Sequence, residues 1–167
     1  MISGPNVLIP GTFDYETFSN PTAIKVNQDA LGIPGRVVYS TCPRWIMPSW
    51  TAPIVTPPKG CTQVWAKPQL QFRKNTVALV FVNWDPAQAM QVACDAQCMQ
   101  LAGIPKGARI INVRDVWSAE ENSTATKFLF TRKGPGKLST TLDADGGSAF
   151  LLLEFSTTDD QSDGENM

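Results

Sequence analysis

Between Thr76 and Asn83 the chain reads Thr-Val-Ala-Leu-Val-Phe-Val-Asn, with Val77, Leu79 and Phe81 on one alternating set of positions and Ala78, Val80 and Val82 on the other. A strand with one face in water carries a polar residue at every second position, so this run predicts a strand covered on both faces, near the middle of a sheet. Around it lie short β-rich runs set apart by Gly, Pro, Asn and Asp. Arg36–Ser40 predicts a strand, and Ala108–Trp117 predicts another with Ile111, Val113 and Asp115 on one face. Thr126–Phe130, Lys137–Leu142 and Ser148–Phe155 predict three more, and Asn83, Asp85 and Pro86 predict a turn. Short strands at this spacing predict an all-β fold, an antiparallel, Greek-key-like β-sandwich of about eight strands.

One stretch departs from the strand pattern. Asn20 can cap a helix whose first residue is Pro21, since proline has no N–H to leave unpaired there. Gly32 and then Pro34 supply a stop, so the helix is expected to end near Leu31, with Ile24, Gln28 and Leu31 on one side. From Thr41 to Gly60 the chain carries Pro43, Pro48, Pro53, Pro57 and Pro58, which forbid a central strand and predict a long loop. Cys42 and Cys61 bracket that loop; a bridge between them would remove roughly 3 kcal/mol of denatured-state entropy. Trp45 and Trp50 within it read either as flat faces for sugar stacking or as side chains folded back on the core or a partner surface. Beyond Phe155 the chain is polar and acidic, which predicts a disordered tail. The expected division is residues 1–35 as a junction, 36–155 as the sandwich and 156–167 as the tail.

Composition narrows the chemistry. At 167 residues the chain is long enough for one domain that buries roughly 70% of its unfolded surface. A net charge of −1 without a Lys/Arg run gives no electrostatic footprint for nucleic acid or an anionic membrane, so neither partner is expected. No apolar run reaches the roughly 20 residues of a membrane span, and Met1–Pro10 lacks the pattern of a signal peptide. Histidine is absent, which excludes Ser-His and Cys-His nucleophilic machinery and imidazole-ligated metals. Cys42, Cys61, Cys94 and Cys98 form no CxxC pair and read as disulfides or buried thiols in preference to a zinc site. Neither a metal nor an organic cofactor is expected. Asn122-Ser123-Thr124 is an N-glycosylation sequon, usable in a secretory compartment.

Ser19-Asn20-Pro21, Ile24, Val26-Asn27-Gln28-Asp29 and Leu31-Gly32 resemble the motif joining the catalytic barrel to the C-terminal β-domain in melibiase-type glycosidases. These form glycoside hydrolase family 27, the α-galactosidases and α-N-acetylgalactosaminidases; Ala30 stands where the usual form has proline. Further along, Thr62–Pro68, Phe81-Val82-Asn83-Trp84 and Asn112-Val113-Arg114-Asp115-Val116-Trp117 are similar to strands of that β-domain, and the last two predicted strands resemble its closing hairpin. Met90–Cys98 is similar to a tight loop of the animal enzymes, and the resemblance implies a Cys94–Cys98 disulfide fixing a sharp corner. Met1–Leu8 resembles the last barrel strand. Asp14–Phe18, with Thr12 as cap, reads either as the remains of the last barrel helix or as an irregular arm laid over the sandwich. Arg114 and Asp115 read as a structural ion pair.

Retaining glycosidases use two carboxylates about 5–5.5 Å apart, which in the family are aspartates on barrel strands. None of Asp14, Glu16, Asp29, Asp85, Asp115 or Asp145 matches a family catalytic position, so no catalytic residue is carried over, and these acids read as solvated turn carboxylates. The resemblance thus implies a non-catalytic C-terminal β-sandwich, structural or accessory to a glycosidase barrel. The alternatives are a carbohydrate-binding module using Trp45 and Trp50, and a glycosidase in its own right. Expected partners are a barrel domain, a second copy of the chain, or carbohydrate. The family places it in a secreted or lysosomal-type compartment, any signal lying outside this sequence.

Overall fold

The computed structural model describes residues 20–42, 59–69, 75–117, 129–130 and 137–157. In chain order these contain helix α1 (Pro21–Asn27), β1 (Arg36–Ser40), β2 (Thr62–Gln69), β3 (Thr76–Asn83), β4 (Met90–Cys94) and helix α2 (Ala96–Leu101). There follow β5 (Arg109–Asp115), β6 (Leu129–Phe130), β7 (Leu138–Leu142) and β8 (Ser148–Ser156). The strands form two antiparallel sheets, one in the order β1-β2-β3-β8-β5 and one in the order β4-β7-β6. The expected all-β sandwich is therefore the observed fold. Of the segments expected at the chain start, Met1–Leu8, Thr12 and Asp14–Phe18 lie outside the described residues, as do residues 126–128 and the tail beyond Thr157.

β3 occupies the middle of the larger sheet, between β2 and β8, as its doubly apolar pattern requires. Val77, Leu79 and Phe81 enter a core shared with Val64 of β2, Leu151 and Leu153 of β8, and Val92 and Leu138 of the smaller sheet. Ala78 and Val80 point the other way, into a second cluster with Phe150, Leu152 and Val116 that is closed by Ala23 and Val26 of α1. One face of the larger sheet is thus covered by a sheet and the other by a helix. Each fully buried Val, Leu or Phe side chain contributes about 1.5–3 kcal/mol relative to exposure, so both covers are energetically substantial.

Helix α1 starts where the sequence predicts. Asn20 caps it by accepting the Ala23 N–H at 2.9 Å, and the same side chain donates to the carbonyl of Val116 at 2.8 Å, which ties the helix start to the end of β5. The helix stops at Asn27, four residues before Leu31, because Asp29 captures the following backbone: its Oδ1 accepts the Leu31 N–H at 3.0 Å and its carbonyl the Gly32 N–H. Gly32 then takes φ +65°, where a side chain would be strained. The side that carries Ile24 and Leu31 is not the one that packs on the sandwich. Ala23 and Val26 are buried, while Ile24 and Leu31 are 39% and 40% exposed. The rotation is set by tethers at both ends, since Lys67 Nζ, on β2, donates to the carbonyls of Val26 at 2.7 Å and Asn27 at 3.1 Å. A buried cation is thereby placed at the helix C-terminus, where the backbone dipole favours it.

Two bulges set the edge strands, and one of them alters a predicted face. In β5 the register passes from Ile110 opposite Phe155 to Asn112 opposite Glu154, leaving Ile111 unpaired and 60% exposed although Val113 is buried. Ile111 and Val113 therefore do not share a buried face, because an extra residue breaks the period of two. In β1 a similar shift between Val37 and Tyr39 turns Val38 into the core. Around Cys94 the expected tight loop is a strand followed by a short helix: Asp95 caps α2 by accepting the Cys98 N–H at 2.9 Å, and Cys98, Met99, Ala102 and Ile104 complete one end of the core. The final strand runs through Ser156, one residue past the expected boundary.

If α1 is held by its end tethers, Lys67→Met should lower stability by about 2 kcal/mol, because two buried carbonyls lose a charged donor. Urea unfolding measures the loss. Hydrogen exchange should show the α1 amides opening while those of β3 stay protected; equal loosening of β3 would contradict the separate roles of the two covers.

Candidate functional site

The described residues concentrate their polar chemistry at the end of β3, where the chain leaves one sheet for the other. Asn83 is fully buried, and its side chain reaches both crossings. The Nδ2 donates to the carbonyls of Gln88 and Asp143 at 2.8 Å and more weakly to that of Leu142 at 3.3 Å, while Oδ1 accepts the Asp85 N–H at 3.0 Å. Its backbone N–H donates to Gly147 and its carbonyl accepts from Gly146. The turn from β3 to β4 and the turn from β7 to β8 are therefore fastened to the same residue.

Asp85 extends this corner to a third segment. Its Oδ2 accepts the Gly60 N–H at 2.6 Å, and its Oδ1 accepts the N–H groups of Ala87 at 2.8 Å and Gln88 at 2.9 Å. The Asp145 N–H donates to the Asp85 carbonyl at 2.7 Å. Those donors, the Gly60 N–H foremost and then that of Ala87, hold the Asp85 carboxyl below its ordinary value of 3.8, against the desolvation that opposes them; Gln88 and the nearby Lys59 charge act in the same direction. Asp85 is therefore not the solvated turn carboxylate that its sequence context predicts. It is 2% exposed and still charged, because backbone N–H groups replace water. Beside it an open depression of about 330 Å³ is lined by Lys59, Gly60, Asp85, Ala87, Gln88 and Met90.

A carboxyl held in this way cannot serve as a general acid near neutral pH, which needs a raised pKa and a free oxygen. Asp115, the acid of the expected ion pair, takes a different partner. Arg114 and Asp115 pair opposite Leu152 and Leu151 respectively, so they point to opposite faces of the sheet, and Asp115 Oδ1 instead accepts the Trp117 N–H at 3.0 Å. Among the described residues no group of three or more His, Cys, Asp or Glu side chains is placed to hold a metal ion.

Both cysteine pairs are disulfides. Cys42 and Cys61 have Cα atoms 4.4 Å apart and Cys94 and Cys98 5.1 Å apart, within the ordinary range. The first joins the two ends of the Pro-rich stretch of sequence, and the second joins the end of β4 to the first turn of α2. Trp45, Trp50 and Asn122 lie outside the described residues.

Sequence reasoning missed Gln63. On the face of the larger sheet that α1 partly covers, its Oε1 accepts the indole N–H of Trp65 at 3.2 Å and of Trp84 at 3.0 Å, and so locks two half-buried tryptophans together. Trp117 stands edge-on to Phe150 with ring centroids 5.3 Å apart. No local signal marks Gln63; its role appears only when β2 is aligned with β3.

A family model described as the alpha galactosidase C-terminal beta sandwich domain matches residues 59–152, more than half of the chain. No curated protein matches.

The corner makes stability depend on pH. Because the folded Asp85 carboxyl titrates below its unfolded value, its stabilisation is fully present above roughly pH 4 and is lost as pH falls through the lower folded value. Asp85→Asn should be less stable than the parent at neutral pH, since one end of the amide sets an N–H against an N–H. Urea unfolding at a series of pH values should show the gap between the two narrowing below about pH 4. A constant gap across that range would mean that the charge of Asp85 is not what fastens the corner.

Proposed function

From the premise that this chain belongs to the family of alpha galactosidase C-terminal beta sandwich domains, we propose that it acts as a non-catalytic accessory domain to a glycosidase barrel. The observation that carries this reading is the build of the segment leading into β1. It is fastened to the sandwich at both ends of α1, through Asn20 to Val116 and through Lys67 to Val26 and Asn27, and yet presents Ile24, Leu31, Ile33 and Val37 to the outside. A tethered segment with apolar side chains turned away from its own core suits a surface that another domain covers.

The polar residues support the same reading from the other side. The buried Asp85 carboxylate is engaged by three backbone N–H groups at the corner, which hold it away from the protonated form that a general acid in glycoside hydrolysis requires. Two disulfides suit an oxidising, secretory or lysosomal-type compartment. Among the described residues no helix is long and apolar enough to cross a membrane.

The test uses the purified chain alone and mixed with a separately purified family barrel domain. The chain alone should not hydrolyse chromogenic α-galactosides or α-N-acetylgalactosaminides, and it should bind the barrel and raise its melting temperature. Ile33→Asp should weaken that binding at least about tenfold, by placing a charge in an apolar contact. Turnover by the chain alone that disappears in Asp85→Ala would overturn the accessory reading, as would failure to bind the barrel at all.

A further inference from the structure

The Cys42–Cys61 disulfide and the Asp85 corner meet at one residue. Cys61 is fully buried and its carbonyl accepts the Trp84 N–H at 2.8 Å, while Gly60, its neighbour, gives Asp85 its shortest hydrogen bond, 2.6 Å. On the other strand Thr41, the neighbour of Cys42, donates its hydroxyl to the Gly60 carbonyl at 2.8 Å and its N–H to the Thr62 carbonyl at 3.0 Å, and its Oγ1 accepts the Thr62 N–H at 2.9 Å. Gly60 also sits at φ +70°, where a side chain would be strained. The two bridges differ in access. Cys94 and Cys98 are both inside the core, whereas Cys42 is half-buried at the rim.

We propose that the Cys42–Cys61 bridge is a redox-sensitive clasp on the corner, so that its reduction by a dithiol releases Gly60 from Asp85 and loosens the crossing between the sheets. A thiolate of the dithiol attacks the sulfur of Cys42, the more accessible of the pair, and Cys61 departs as a thiolate that takes up a proton. The second thiol of the reductant then displaces the mixed disulfide, leaving Cys42 and Cys61 as thiols and the reductant as its cyclic disulfide. The Cys94–Cys98 bridge stays closed, because neither of its cysteines is reachable without opening the core. Lys59, from the turn that carries Gly60, brings its charge near Asp85, and the backbone N–H of Asp145, from the turn before β8, meets the Asp85 carbonyl. By linkage the coupling runs both ways: whatever weakens the Gly60–Asp85 bond also makes the bridge easier to reduce.

The experiment treats the folded full chain with dithiothreitol, alkylates the released thiols, locates them by mass spectrometry and follows amide exchange at Gly60, Ala87 and Gln88. The expected result is alkylation at Cys42 and Cys61 with Cys94–Cys98 intact, a loss of protection of about tenfold or more at the three amides, and unchanged protection across β3. Asp85→Ala should speed reduction of the bridge severalfold. A Cys42→Ser, Cys61→Ser double variant should reproduce the loosened corner, and the reduced parent chain gives the same reading where that variant does not fold. Unchanged protection at Gly60, Ala87 and Gln88 after reduction would overturn the proposal, showing that the Thr41–Thr62 contacts alone hold the corner. First reduction at Cys94–Cys98, or no effect of Asp85→Ala, would overturn it as well.

Discussion

The structure depends on β3 being apolar at every internal position. A strand of this kind cannot lie at an edge or face water on either side, so the chain must supply two covers, and the rest of the fold is the means by which it does so. The smaller sheet and α2 close over Val77, Leu79 and Phe81; helix α1 closes over Ala78 and Val80. β8 shares the demand, with Leu151 and Leu153 inward and Phe150 and Leu152 outward, which explains why the last strand is inserted beside β3 and not added at the sheet's rim. Edge positions go to β1 and β5, both of which carry bulges, and bulges make an edge harder to extend by another strand.

A strand buried on both sides has to end somewhere, and its end is the polar counterpart of its middle. Asn83 continues β3 into the core but satisfies its amide on backbone groups of both inter-sheet turns, and Asp85 does the same for the segment that follows the Pro-rich loop. On the far side of the sheet Lys67 performs the matching task for α1, filling the helix's last carbonyls from a strand. In each case a buried polar side chain is matched to backbone groups that would otherwise be orphaned, so each of these residues fixes the position of one segment relative to another. Apolar contacts alone would leave those positions free to slide.

Those two kinds of residue differ in how far the sequence reveals them. The doubly apolar run, the cap and proline that begin α1, and the Asn-Trp-Asp-Pro turn all rest on local chemistry, and each stands where the pattern puts it. What the sequence hid depended on partners far along the chain. The face of α1 follows from Asn20 meeting Val116 and Lys67 meeting Val26, contacts separated by 96 and 41 residues. Its early end follows from the Asp29 side chain competing for backbone that Gly32 and Pro34 were expected to release later. The bulge at Ile111 adds a residue with no compositional mark, and α2 is too short for periodicity to show, its one legible sign being Asp95 as a cap. The candidate site divides the same way: Asp85 was legible as a turn residue, whereas its burial required knowing that Gly60 would arrive beside it.

These features bear on function through what the buried charges are used for. A catalytic carboxyl is kept poised, with part of its hydrogen-bonding capacity reserved for a reacting group and its titration tuned toward the working pH. The Asp85 carboxyl is driven the opposite way, toward permanent ionisation, by three N–H donors that come from two segments of its own chain. Such a group gains by holding geometry constant and loses by exchanging protons. The same economy appears at Lys67, whose ammonium is committed to a helix end. Asp85 and Lys67, buried and charged, each fix one segment against another, an arrangement that suits keeping the outer apolar residues in set positions. Ile24, Leu31, Ile33 and Val37, carried on the fastened segment before and within β1, are the residues that this arrangement positions.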